Sequence, residues 1–151
     1  MVLSQKETML LNELKSQEQL CIEKYGKYAA QACDGQLSCL FADIAKVEQE
    51  HLDTINQMLS GAVPAMNNAF SGAQPQPPTR NQNCSPREKQ QDAFLCQDAL
   101  AMEKHVSALY DTSIFEFKDA NARSVLNHIQ KEEQQHGKRI YDYMAANQMY
   151  G

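Results

Sequence analysis

Several features that define other protein classes are missing from this 151-residue sequence. No apolar stretch approaches the roughly 20 residues that a helix needs to cross a bilayer, and the start lacks a basic region followed by an apolar run. Five cysteines are present without a Cys-x-x-Cys pair, which excludes a structural zinc or rubredoxin-type iron site. We therefore expect synthesis in the cytoplasm without an export signal.

In such a reducing compartment, cysteines pack as small apolar residues. We expect this role for Cys21, Cys33, Cys39 and Cys96. Cys84 falls in a predicted linker and could be exposed. A basic patch is also missing, and the formal charge of -5 with a pI near 5.3 argues against nucleic-acid and acidic-membrane partners.

Proline is confined to one stretch of the chain. All five prolines lie between Pro64 and Pro86, among Gly, Asn, Gln and Ala, so residues from about 60 to 85 form an extended connection rather than a helix. A connection of about 25 residues is far longer than a tight helical hairpin requires. It is predicted to cross the length of a helical bundle and let helices 2 and 3 run parallel.

The rest of the chain has helical periodicity and helix-start signals. Ser4 with Glu7 forms one capping box, and Ser85 with Glu88 forms another with Pro86 at the first helical position. Asp34 and Asp119 are predicted to cap the other two helices. The four predicted helices are about 5–33, 36–59, 86–116 and 120–147. The fold class is therefore all-α, a four-helix bundle formed by a single domain over 1–151 with one long crossover between helices 2 and 3.

A weak internal repeat relates the two halves of the chain. Shifting residues 15–59 by 85 positions onto 100–144 without a gap gives nine identities in 45. The identities include all six residues of one recurring pattern, a Glu followed thirty residues later by Glu-x-x-His. These residues are Glu18, Glu48 and His51 in the first half, and Glu103, Glu133 and His136 in the second. All six interrupt apolar stripes that face the predicted core.

This residue set predicts a pair of bound metal ions. One Glu-x-x-His presents a carboxylate and an imidazole to the same point, because residues three apart share a helix face. A single copy is more often a solvated pair, but two copies at matched spacing with two matched glutamates favour metal binding. Four carboxylates offset two divalent cations and leave neutral imidazoles to complete a neutral core. Without a cation, each buried carboxylate carries a large desolvation cost.

Other polar residues near the pattern receive different interpretations. Tyr25 and Tyr110 lie seven residues beyond Glu18 and Glu103, where each phenol is either a hydrogen-bond donor to a ligating carboxylate or a plain core tyrosine. Four residues fall off the ligand face and are expected to be solvated: Glu50, His105, His128 and Glu132.

The six-residue set resembles that of the ferritin-like superfamily, and the plan is closest to the rubrerythrin-type bundle. The chain also resembles the coat F family of spore coat proteins in the stretches Leu10–Glu18, Ile44–His51 and Ile129–His136 and in the Met-Tyr-Gly end. The superfamily resemblance implies that the six residues bind metal, with Glu48 and Glu133 bridging the two ions. The coat resemblance implies a location in the spore coat.

Two departures from the superfamily narrow the expected function. The rubredoxin-like domain of full rubrerythrins is absent, so a redox reaction would need a separate electron donor. The fifth helix of cage-forming ferritins is also absent, which argues against a storage shell.

Two functions remain open from the sequence. The first is a di-iron or di-manganese protein that reacts with hydrogen peroxide or dioxygen as a non-haem oxidoreductase of peroxidase, catalase or ferroxidase type. The second is a structural or interaction protein of the coat, in which iron, manganese or zinc only ties the four helices together. Catalytic residues, turnover and the native metal are not specified by the pattern, and contacts with a second copy or with other coat proteins are compatible with both functions.

Overall fold

Four long helices make up the architecture of the computed structural model, which describes residues 1–65 and 76–150. The helices are α1 (Gln5–Gln31), α2 (Gly35–Leu59), α3 (Pro86–Glu116) and α4 (Ala120–Ala146). No strand occurs in the described ranges, so the predicted all-α class is confirmed. Residues 66–75 of the predicted connection lie outside them. None of the helices described is both long and apolar enough to cross a bilayer.

Local sequence signals determine where each helix begins. Ser4 Oγ accepts a hydrogen bond from the Glu7 N–H at 3.1 Å, and a Glu7 carboxylate oxygen accepts one from the Ser4 N–H at 3.0 Å. The Ser85 box that starts α3 has the same reciprocal bonds. Asp34 and Asp119 cap α2 and α4 with their carboxylates. These caps satisfy N–H groups that the first helical turn leaves without partners, and all four predicted helix starts are confirmed.

Contacts between side chains fix the directions of the helices. The N-terminal ammonium donates to the Gly61 carbonyl at 3.1 Å, so the start of α1 lies beside the end of α2. α1 runs antiparallel to α3 and α2 runs antiparallel to α4, as shown by the ion pairs Lys6–Glu116, Lys24–Asp98, Asp43–Arg139 and His51–Glu132. α2 and α3 therefore run parallel, as predicted, and the end of α2 and the start of α3 lie at opposite ends of the bundle.

A disulfide closes one end of the bundle. Cys33, after α1, is bonded to Cys84, just before α3, with a Cα–Cα separation of 6.3 Å and a sequence separation of 51. The expectation that Cys33 is a reduced, apolar-packing residue is therefore wrong. Because α1 and α3 are antiparallel, the end of one and the start of the other lie together. Asp92 reinforces this junction by accepting hydrogen bonds from the N–H groups of Cys33 and Asp34.

The remaining cysteines divide between the core and the surface. Cys21 and Cys96 are free thiols in the core, as predicted. Cys39 is a free thiol, as expected, but it is exposed, so the expectation that it packs as an apolar residue is wrong. Cys84 is nearly buried rather than exposed, because the disulfide draws it against the α1–α2 turn.

The hydrophobic core surrounds a polar layer in the middle of the bundle. Buried apolar residues lie along each helix on both sides of the six predicted ligands: Leu14 and Cys21 on α1, Ile44 and Ile55 on α2, Ala99 and Val106 on α3, and Ile129 and Ile140 on α4. This packing excludes water above and below the polar layer, and it orders the helices that present the ligands.

Candidate metal centre

The bundle brings all six residues of the recurring pattern together in its interior. Each retains at most 4% of its accessible surface. α1 and α3 each contribute one glutamate, whereas α2 and α4 each contribute a Glu-x-x-His pair. This arrangement follows from the sequence, because each residue occupies a core-facing position of its helix between apolar neighbours.

The six residues form two overlapping groups, each compact enough to hold one metal ion. In each group, one ligand atom per residue lies within 4.8 Å of the ligand atoms of the others. We call them the His51 position and the His136 position. The His51 position consists of Glu18, Glu48, His51 and Glu133, and the His136 position consists of Glu48, Glu103, Glu133 and His136. They share Glu48 and Glu133, the two residues that the ferritin-like resemblance assigns as bridges.

The Nδ1 atom of each histidine faces carboxylates from two other helices. His51 Nδ1 lies 2.8 Å from a Glu133 oxygen and 3.7 Å from a Glu18 oxygen. His136 Nδ1 lies 2.9 Å from a Glu48 oxygen and 3.4 Å from a Glu103 oxygen. The Glu-x-x-His pair on α2 therefore meets its counterpart on α4, and the ring centroids of the two histidines are 6.0 Å apart.

Many polar atoms of these six side chains form no hydrogen bond with the described part of the protein. Across the described chain, eight buried oxygen and nitrogen atoms of the six residues have no hydrogen-bond partner: Glu18 Oε2, both carboxylate oxygens of Glu48 and of Glu133, Glu103 Oε2, and Nδ1 of His51 and His136. Folded proteins contain only a few such atoms per 100 residues. Carboxylate oxygens and imidazole nitrogens are ligands for iron, manganese and zinc, so the donor set fits two divalent ions.

The negative charge of the four glutamates is also not neutralised by a permanently charged side chain among the described residues. The ion pairs of the four glutamates within the described residues are all with His51 and His136, without lysine or arginine. Burial and the neighbouring carboxylate of Glu48 raise the pKa of Glu18 to about 12. Burial alone would lower the pKa of His51, but the adjacent carboxylates of Glu132 and Glu133 raise it to about 9. The metal-free layer therefore holds protons where a cation would bind.

Two buried tyrosines donate hydrogen bonds to the outer glutamates. The Tyr110 hydroxyl donates to Glu18 Oε1 at 2.6 Å, and the Tyr25 hydroxyl donates to Glu103 Oε1. Each tyrosine thus crosses from its own helix to the glutamate of the other half. The sequence left two alternatives for each tyrosine, a hydrogen-bond donor to a glutamate or a plain core residue. The structure shows the hydrogen-bonded form. That these bonds orient metal-ligating carboxylates stays a prediction.

Glu132 is the residue that the sequence interpretation misplaced. It was expected to be solvated, but its side chain is only 29% exposed and accepts a hydrogen bond from His51 Nε2 at 3.1 Å. His128 Nε2 lies 3.2 Å from the same carboxylate oxygen. Burial would raise the pKa of Glu132, but the contact with His51 holds it below its usual range. The spacing of His128 and Glu132, four residues apart on one helix, was the available signal.

The other residues near the pattern lie where the sequence placed them. Glu50 and His105 are exposed, and no candidate metal group among the described residues includes them. Asp34 and Asp119 are helix caps rather than ligands. Asp34 has a further contact that the sequence did not reveal, because its second oxygen accepts a hydrogen bond from the Tyr143 hydroxyl at 2.6 Å.

Comparison with known proteins finds a similarity for part of the chain. Residues 91–151 match the model of the Coat F domain family. The match covers less than half of the sequence and comprises α4 and most of α3, so it contains the three candidate ligands of the second half and none of the first. The coat F resemblance of the first half therefore stays a prediction. No curated protein and no solved structure matches the chain significantly.

Proposed function

We propose that this chain is a spore-coat protein with a ferritin-like bundle that binds two divalent ions, iron or manganese, between its four helices. One observation carries the proposal, namely the buried layer of four carboxylates and two imidazoles, in which eight polar atoms of the described residues accept or donate no hydrogen bond. A pair of divalent cations matches the charge of four carboxylates, and the two groups supply four ligands to each ion. Zinc is compatible with the same donor set.

The location is proposed from the family match. Residues 91–151 are similar to the Coat F domain, whose name refers to the spore coat. The candidate ligands Glu103, Glu133 and His136 lie inside the matched segment. Half of the candidate ligands therefore lie within the coat-similar segment, and the proposal combines the metal site with the coat location.

A redox role is the more specific form of the proposal. Bound iron or manganese supplies one-electron chemistry toward peroxide or dioxygen. The chain contributes ligands that hold the ions, tyrosines that donate hydrogen bonds to Glu18 and Glu103, and a packed core that excludes water. In its peroxidase form, this proposed role takes electrons from a separate protein or small molecule.

A structural role is supported by a different observation. Every helix contributes at least one candidate ligand, so two bound ions cross-link α1, α2, α3 and α4 at the middle of the bundle. Metal binding to such a site stabilises the folded state directly. In this role zinc, manganese and iron are interchangeable and turnover is not required.

Metal content tests the proposal first. Protein purified without chelator is analysed for metals and reconstituted anaerobically with Fe²⁺ or with Mn²⁺. We expect two ions per wild-type chain and a marked loss of bound metal in Glu48→Ala, because Glu48 belongs to both groups. Glu50→Ala, two residues away on the exposed face, serves as the matched control and retains both ions. Wild-type protein that binds neither metal contradicts the proposal.

Peroxide consumption separates the two roles. If iron- or manganese-loaded protein consumes peroxide with an added reductant, and Glu48→Ala abolishes this activity while retaining helical circular dichroism, the redox role is supported. If no metal confers turnover and metal removal lowers the unfolding temperature, the structural role is supported.

A further inference from the structure

The two metal positions are related by the internal repeat. They differ in the partner of the outer ring nitrogen, Nε2, of the histidine. His51 uses Nδ1 toward the carboxylates and donates from Nε2 to Glu132 Oε1 at 3.1 Å. The three ion pairs of His136 all involve Nδ1. In the repeat, Val47 occupies the place of Glu132, so the first half has an apolar side chain at the position where the second half has a carboxylate.

Glu132 is itself held in place. His128 Nε2 lies 3.2 Å from Glu132 Oε1, and the two residues are four apart on α4. The position that corresponds to His128 in the repeat is Asp43, which instead pairs with Arg139 at 3.6 Å. The chain His128–Glu132–His51 therefore exists on one side of the centre only.

The other partners of the two positions are matched. Tyr110 donates to Glu18 in the His51 position, and Tyr25 donates to Glu103 in the His136 position. Glu48 and Glu133 belong to both positions. The tyrosines and the shared glutamates thus do not distinguish the positions, whereas Glu132 does.

We infer that the two metal positions are inequivalent and that Glu132 is the positioning residue that makes the His51 position the first to fill. The inference rests on the proposed metal binding. A carboxylate that accepts a hydrogen bond from the outer nitrogen of a histidine fixes the tautomer and ring orientation and makes the imidazole a stronger ligand. Loss of such a partner typically weakens metal affinity by about 10- to 100-fold.

Exchange of the two residues tests the inference. Glu132→Val gives the second half the residue found at the equivalent position of the first half. Val47→Glu makes the reverse change in the first half. Glu50→Gln is the matched control, because Glu50 is an exposed glutamate that follows Glu48 by two positions. Each protein is titrated with Mn²⁺ alone, and free Mn²⁺ is followed by electron paramagnetic resonance. We expect Glu132→Val to weaken the tighter binding step by about 10-fold or more, and Glu50→Gln to leave both steps unchanged.

The position of the first bound ion tests the inference directly. Two different affinities alone do not, because the shared carboxylates make the second ion bind more weakly than the first even when the two positions are equivalent. Crystals with one equivalent of Mn²⁺ are examined by anomalous scattering. We expect density mainly beside His51 in the wild type, nearly equal density at both positions in Glu132→Val, and a shift toward His136 in Val47→Glu.

Two contrary results have different meanings. Equal occupancy in the wild type, or an unequal occupancy that Glu132→Val leaves unchanged, overturns the inference and leaves the proposed function intact. Failure of the wild type to bind any Mn²⁺ or Fe²⁺ overturns the proposed function, and the inference with it. If Glu132→Val does not fold, the Val47→Glu result decides between support and rejection.

Discussion

At the scale of single residues, the two tyrosines link the halves of the bundle through the centre. Tyr25 and Tyr110 are fully buried, and each donates its hydroxyl to a glutamate on the helix opposite its own. Burial and the nearby glutamate carboxylates raise the pKa of both phenols well above its ordinary value, so both remain protonated donors. Their rings fill the core, while their hydroxyl groups restrict the rotation of Glu18 and Glu103.

Tyr110→Phe removes one of these donors and preserves the ring. We expect Mn²⁺ affinity to fall by about 10-fold, because the Glu18 carboxylate loses a partner that fixes its orientation. Tyr143→Phe is the control, since it removes a buried hydroxyl whose partner, Asp34, lies outside the centre. Calorimetric titration of the three proteins with Mn²⁺ gives the comparison. Equal losses of affinity in the two variants would show that the effect is not specific to the Glu18 contact.

At the scale of secondary-structure elements, the disulfide joins the end of α1 to the start of α3. It closes a loop that contains α2 and the whole proline-rich connection, with a sequence separation of 51 residues. Such a cross-link restricts the unfolded chain most strongly when the loop is long. The connection is therefore anchored at its α3 end by a covalent bond as well as by the Ser85 cap.

Cys84→Ser tests the contribution of this bond. We expect the variant to lose about 2–4 kcal/mol of unfolding free energy, measured by guanidinium denaturation under oxidising conditions. Cys39→Ser is the matched control, because Cys39 is a free and exposed cysteine, and it should unfold with the wild type. Thiol titration of denatured wild-type protein should find three reactive thiols before reduction and five after it. Five thiols before reduction would contradict the disulfide.

The elements also show which features are predictable from sequence. The helix starts depend on residues within one turn, so the Ser4 and Ser85 boxes and the Asp34 and Asp119 caps could be predicted. The six inward-facing polar residues could be predicted from helical periodicity together with the repeat. The parallel course of α2 and α3 followed from the length of the proline-rich connection.

Features that depend on contacts between distant segments were not predicted. The Cys33–Cys84 bond requires the end of α1 and the start of α3 to lie at the same end of the bundle. That placement was implied by the predicted topology, but the assumed reducing compartment obscured it. Glu132 reaches His51 only because α4 packs antiparallel to α2, and the helical position of Glu132 by itself indicates a partly solvated residue.

At the scale of the whole molecule, the buried polar layer couples stability to pH and to metal. In the metal-free chain the pKa of His51 is raised to about 9 from its ordinary value of 6.5. Its stabilising contribution is complete below the unfolded value and is lost as pH rises through 9. The pKa of Glu18 is raised from 4.5 to about 12, so above pH 4.5 the folded state holds a proton that the unfolded state releases. Both groups make stability fall with rising pH.

Metal reverses this dependence, because its ligands must be deprotonated to bind. We expect the unfolding temperature of metal-free protein to fall between pH 5.5 and pH 8.5. The unfolding free energy falls by about 1.4 kcal/mol per pH unit for each proton that only the folded state holds. The stabilisation gained from a fixed excess of Mn²⁺ should instead grow over the same interval, since apparent affinity rises as protons become easier to displace. Differential scanning calorimetry with and without Mn²⁺ measures both trends, and Glu48→Ala should show no stabilisation by Mn²⁺ at either pH. A metal-free unfolding temperature that rises over this interval, or a Mn²⁺ effect that does not change with pH, would mean that the six residues do not exchange protons for metal.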